Sequence, residues 1–197
     1  MDDSILKKWQ ITDEELTHVV ESSPSLRGIL LGYIAEKKFQ DMFLSHPRIT
    51  GVRKADDHDR THKGDRTIVY QGIEIVTEVK SLQTNSIRLL SDGSWIGKAQ
   101  VDASDRREVT LPNGERLTTT CLVAGEFDLL AVNLFAFGET WKFAFARNDQ
   151  LPRSRWRGYT ETQRNYLLAT LVDVRWPPVP PFFADPFPLL DAMVRER

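Results

Sequence analysis

DRTIVYQGIEIVTEVK, residues 65–80, consists of two β-rich runs separated only by Gln71 and Gly72. Val, Ile, Thr and Tyr fit a pleated, half-buried surface, and a two-residue break ending in glycine between such runs is a hairpin signal. A two-residue turn pairs Tyr70 with Ile73, and stepping outward along the ladder sets Asp65 opposite Glu78. Side chains alternate between faces, so Glu78 and Lys80 share the face of Asp65, with Lys80 about 7 Å further along its strand. Ile68, Tyr70, Ile73, Ile75 and Val79 take the other face, which makes a core surface. Opposed side chains have Cβ atoms roughly 5 Å apart, close enough for two carboxylates to grip one small cation. With no cation between them, like charges so opposed weaken a hairpin by up to about 1 kcal/mol.

The flanking sequence supplies the other elements. Thr12 followed by Asp13, Glu14 and Glu15 predicts a capped helix over roughly 13–22, ended by Ser22-Ser23-Pro24. Leu26, Ile29, Leu30, Tyr33, Ile34, Phe43 and Leu44 predict a long, mostly buried helix over 25–45, on which Gly28 and Gly32 would admit another element closely. RITGVR (48–53) reads as a strand and 54–64 as a charged loop. GKAQVDASDRR predicts a helix over 98–107, and VTLPNGERLTTTCLV a second hairpin around Pro112-Asn113-Gly114. FDLLAVNLF (127–135) is almost continuously apolar, the pattern of a central strand buried on both faces, with WKFAFAR (141–147) as its companion. YTETQRNYLLATL reads as a helix, VRWPPVPPFFADPFP as an extended proline-rich connector and LLDAMVRER as a last short helix.

The 197 residues suffice for one substantial core and predict a single domain with decorations. No apolar run approaches the ~18 residues of a membrane span, and MDDSILKKWQ does not resemble a signal peptide, so a cytoplasmic protein is expected. One cysteine, Cys121, excludes an internal disulfide and a multi-thiolate zinc site. A net charge of −2 carries no global basic field, so any nucleic-acid contact must be local.

Asp65, twelve intervening residues, then Glu78-Val79-Lys80 resembles the signature of the PD-(D/E)xK nuclease superfamily. The order helix 25–45, strand 48–53, hairpin 65–80, helix 98–107 and strand 127–135 is similar to that of its core. The resemblance covers roughly 25–147, leaving an N-terminal helical extension (1–24) and a C-terminal helix with a proline-rich tail (148–197). It implies an α/β (mixed α+β) restriction-endonuclease-like fold, a central mixed β-sheet flanked by helices. It also implies a Mg²⁺-dependent endonuclease acting on DNA, with Mn²⁺ able to substitute and no organic cofactor. Asp65, Glu78 and the backbone carbonyl of Val79 would hold the metal, and Lys80 would orient the attacking water and stabilise charge. Glu36, on the long helix, matches a glutamate that helps hold the metal or its waters in many members, and Gln100 matches a glutamine near the active site in some. Gly64 stands where the signature has proline.

Arg60, His62 and Lys63, just before Asp65, are placed to meet phosphate, and Lys98, Arg106 and Arg107 are further candidate DNA contacts. The arginines of RSRWRGYTETQR resemble a backbone-binding stripe with aromatic interleaving. A homodimer is expected because one such site cuts one strand. The same triad would serve a structure-selective repair or junction nuclease, and the same fold a non-catalytic nucleic-acid-binding or assembly subunit.

Overall fold

The computed structural model describes residues 4–54 and 64–197. The predicted hairpin is present with the predicted register. Strands β2 (Arg66–Tyr70) and β3 (Ile73–Ser81) are antiparallel, pairing Tyr70 with Ile73, Ile68 with Ile75 and Arg66 with Thr77. The turn needs two left-handed residues, and Gln71 (φ 49°) and Gly72 (φ 82°) supply them. β1 (Ile49–Lys54) adds to the outer edge of β2. β8 (Leu129–Asn133) lies parallel to β3, and β9 (Phe143–Arg147) closes the sheet antiparallel to β8. The order is β1-β2-β3-β8-β9, a mixed sheet in an α+β fold, and every residue of β8 is buried, as its apolar run predicts.

One face of this sheet carries Ile68, Tyr70, Ile75, Val79, Leu129, Ala131, Phe143 and Phe145. Helix α3 (Pro24–Phe39), running on into a π-helical turn at 40–44, packs there through Ala35, Phe39 and Leu44. Helix α5 (Phe187–Glu196) adds Leu189, Leu190 and Met193. Asp191 pins α5 by accepting from Tyr70 Oη (2.7 Å), Arg48 Nη1 (2.8 Å) and Gln71 Nε2 (3.0 Å). The expectation of a mostly buried long helix is corrected: Leu26, Ile29, Leu30 and Tyr33 are exposed. The residues that α3 buries, Ala35 and Phe39, both lie in its C-terminal half. The preceding helices α1 (Ile5–Trp9) and α2 (Asp13–Ser22, with the Thr12–Glu15 capping box) bury no side chain.

The other face is covered by a small three-stranded sheet, in the order β10 (Leu171–Trp176), β5 (Trp95–Gln100), β4 (Arg88–Leu89). This corrects the second expectation, because the predicted helix over 98–107 is instead strand β5 followed by β6 (Asp102–Thr110). Gly97, Ala99 and Val101 are buried while Lys98 and Gln100 are exposed, a period of two that outweighs the helix propensity of Lys98, Ala99 and Gln100. β6 pairs with β7 (Arg116–Cys121) as a two-stranded ribbon around the predicted Pro112-Asn113-Gly114 turn. The YTETQ segment forms helix α4 (Glu161–Tyr166) behind a Thr160–Gln163 capping box, and the first residues of the expected proline-rich connector belong to β10. Among the described residues no helix is long and apolar enough to cross a membrane.

Candidate active site

Asp65 immediately precedes β2, and its N–H donates to Thr77 O at 2.9 Å, so Asp65 and Arg66 both face Thr77 and the regular pairing of the hairpin ends there. Its Oδ2 accepts the backbone N–H of Val79 at 2.6 Å, which aims the carboxylate across the hairpin. Gly64 makes the approach possible. It has φ 73°, and a Cβ there would lie 2.4 Å from Val76 Cγ1 and 2.8 Å from Thr77 O. Proline, fixed near φ −65°, does not fit this backbone.

Glu78 is 7% exposed, and its Oε1 lies 2.6 Å from Lys80 Nζ. Burial, then the charge of Asp65, push the Glu78 carboxyl up to about 7 against the pull of Lys80. Burial raises Asp65 as well. Burial alone would lower Lys80, but Glu78 and Asp65 outweigh it and the ammonium is held above its ordinary range. Two carboxylates that resist joint ionisation in a desolvated site are stabilised by added positive charge. Lys80 supplies one cation, and the acids retain lone pairs for another.

Glu36 projects from α3 toward the same end of the hairpin, its Oε2 3.2 Å from Lys54 Nζ and 3.7 Å from an Arg66 guanidinium nitrogen. Burial and the charge of Asp65 raise its pKa. Glu36 Oε2 and Arg66 Nε are buried without an aligned hydrogen bond among the described residues, so polar capacity is left over beside Asp65. No group of three or more His, Cys, Asp or Glu able to hold a metal occurs among the described residues.

The other expected site residues divide. Gln100 lies on a strand and not on the expected helix, and its side chain hydrogen-bonds to Asp102. Leu82 bridges Ala99 in antiparallel fashion, so Lys80 runs alongside Val101 and the Gln100–Asp102 pair. Asp102 feels the Lys80 charge, and its own carboxyl is raised by burial. Asp102 was missed because this contact depends on the bridge between β3 and β5, which no local pattern announces. Lys98 is exposed on β5, 3.9 Å from Asp173, and Arg106 is exposed on β6. Arg107 is engaged in a bidentate pair with Glu126 at 2.5 Å. Glu126 also accepts from Val123 N and adds to the negative field on Glu78. Arg60, His62 and Lys63 lie outside the described residues.

No family model matches the sequence, and no curated protein matches it. A solved structure, that of a bacterial homing endonuclease, is similar at 20% identity and a TM-score of 0.38, covering 70% of this chain and 86% of that one. A likeness of that degree does not identify the chain.

The residues converge on Asp65, Glu78 and Lys80. Two acids and an ammonium at the open end of a hairpin, with a third acid from a packed helix held beside Lys54 and Arg66, form a largely buried cluster of mixed charge.

Proposed function

We propose that the chain is a metal-dependent endonuclease hydrolysing DNA phosphodiester bonds, with a PD-(D/E)xK centre of the restriction-endonuclease type. The observation that supports it most directly is the buried Glu78–Lys80 pair at 2.6 Å on the strand facing Asp65. Surface stabilisation does not account for that arrangement, because a buried acid pushed up to about 7 costs the metal-free fold stability above that pH. On this reading residues 25–147 are the nuclease core of a single domain, and the protein is cytoplasmic.

Mg²⁺, or Mn²⁺ in its place, fits the donors Asp65, Glu78 and the Val79 carbonyl, and when bound it would polarise the phosphate and acidify water. Asp65, oriented by the Val79 N–H, and Glu78 would be its carboxylate donors. Lys80, retained as an ammonium by Glu78 and Asp65, orients the attacking water and stabilises negative charge developing on the phosphorus oxygens. Glu36 accepts from waters at the Asp65 side, and Asp102 with Gln100 steadies Lys80. No organic cofactor has a role in this scheme.

One centre cuts one strand, and a homodimer would supply two. The exposed stripe Leu26, Ile29, Leu30 and Tyr33 supports pairing, together with α1 and α2, which are too short to stand unsupported in water.

The test is supercoiled plasmid incubated with Mg²⁺. Nicked or linear products, lost in Lys80→Ala and Asp65→Ala, are expected. Intact DNA with both Mg²⁺ and Mn²⁺ would remove the catalytic reading and leave a non-catalytic binding subunit.

A further inference from the structure

The loop 153–160 carries an aromatic residue that the core does not use. Trp156 is 61% exposed, yet it does not swing freely. Its ring meets Tyr159 edge-on at 4.6 Å between centroids and lies across Gly158, where any Cβ would fall 2.3–2.5 Å from the indole. Ser154 N donates to Leu167 O (2.8 Å) and Tyr159 N to Trp156 O (3.2 Å), so both ends of the turn are tied. The Tyr159 hydroxyl is 2.5 Å from Thr119 Oγ1 on β7, which fixes the backing ring against the β6–β7 ribbon.

The arginines around it fall into two groups. Arg153 donates to Leu151 O and Arg164 to Tyr159 O, both at 3.0 Å, so these two brace the loop. Arg155 and Arg157 bracket the indole in sequence, are exposed, and form no ion pair among the described residues. Arg106, exposed on β6, lies near enough to Tyr159 for its charge to act on the phenol. In a chain of net charge −2, this is a local concentration of uncompensated guanidinium around a pre-positioned aromatic face. An exposed indole held in place by Tyr159, with a guanidinium on the residue before it and on the residue after it, matches a base flanked along its strand by phosphates.

The loop also connects to the proposed centre. Cys121, whose Sγ is 3.7 Å from Tyr159 Oη, pairs across the ribbon with Asp102, and Asp102 is the acid that feels Lys80. A strand engaged at Lys80 would thus have the ribbon and this loop beside it.

We propose that Arg155, Trp156 and Arg157 form a DNA-contacting platform, in which the two guanidinium groups hold backbone phosphates and Trp156 stacks on a base exposed at an unpaired or opened step. This deepens the nuclease reading by naming how the strand is held, and its test separates the two. Binding of labelled DNA, one duplex fully paired and one with an unpaired bubble, is followed by fluorescence anisotropy in EDTA over a salt series.

Arg155→Ala/Arg157→Ala should weaken binding to both DNAs and lower the slope of log K against log salt by about 1.8. Trp156→Ala should leave the slope unchanged and remove a roughly 5- to 100-fold preference for the bubble. Gly158→Ala, which displaces the ring without removing it, should resemble Trp156→Ala. The proposal is overturned if these variants bind as the parent does, or if the parent binds neither DNA. Binding that depends on the platform with no cleavage in Mg²⁺ or Mn²⁺ would sink only the nuclease reading. Cleavage with unaltered binding in the variants would sink only the platform.

Discussion

Asp65 Oδ2 accepts the N–H of Val79 at 2.6 Å, so the first acid is oriented by the backbone of the strand that carries the second acid and the lysine. This bond holds a carboxylate on a chain end that has not yet entered the β2–β3 ladder, and it depends on the backbone at Gly64.

Gly64→Ala should therefore disturb the site more than its size suggests. The residue sits at φ 73° with Thr77 O 2.8 Å from any Cβ, so strain of about 1–3 kcal/mol is expected. Denaturant titration should show that loss, and plasmid cleavage should fall further than stability as Asp65 shifts. Gly64→Pro should be worse still, although proline is the residue of the signature.

Lys80 is held as an ammonium and assigned to charge stabilisation, so Lys80→Arg should retain more activity than Lys80→Ala. The alanine variant should lose about a hundredfold or more in cleavage rate under single-turnover conditions. Equal loss in both would indicate that shape, not charge, decides at this position.

The Glu78 carboxyl titrates near 7 in the folded chain and at about 4.5 unfolded. Between these values the unfolded state has released the proton while the folded state keeps it. Glu78 therefore favours the fold below the lower value, and that contribution is lost as pH rises through the upper one. Metal-free protein should lose stability from pH 4.5 to 7 more steeply than Glu78→Gln. Thermal melts across that range check the slope, and added Mg²⁺ should raise the melting temperature of the parent at pH 8 but not of the variant.

Arg107→Ala should act on the fold and not on DNA. It would take the guanidinium away from Glu126, a largely buried carboxylate whose charge already opposes Glu78, at a cost of about 3 kcal/mol. Chemical denaturation should show the loss, while the salt dependence of DNA binding by the folded fraction should stay unchanged.

Ile29→Asp should dissociate a dimer without unfolding the monomer, because Ile29 is 61% exposed within the chain. Sedimentation velocity of parent and variant distinguishes a dimer through this face from a protein that is monomeric throughout.

The sequence by itself determined the hairpin, its register and the common side of Asp65, Glu78 and Lys80, because turn chemistry and a period of two are local properties of the chain. It also determined the buried central strand at 129–133, whose neighbours cover it on both faces. Tertiary structure decided the rest. Only the pairing of β5 with β10, some 70 residues on, makes a strand of 95–100 where a helix was expected. Only the Leu82–Ala99 bridge brings Asp102 and Gln100 to Lys80. Glu78 is an ordinary strand acid until a second sheet covers it and raises its pKa. Arg107 acquires its partner Glu126, 19 residues on, only in the fold. Burial and partner choice depend on residues distant in sequence, so they are written in the fold and not in the motif.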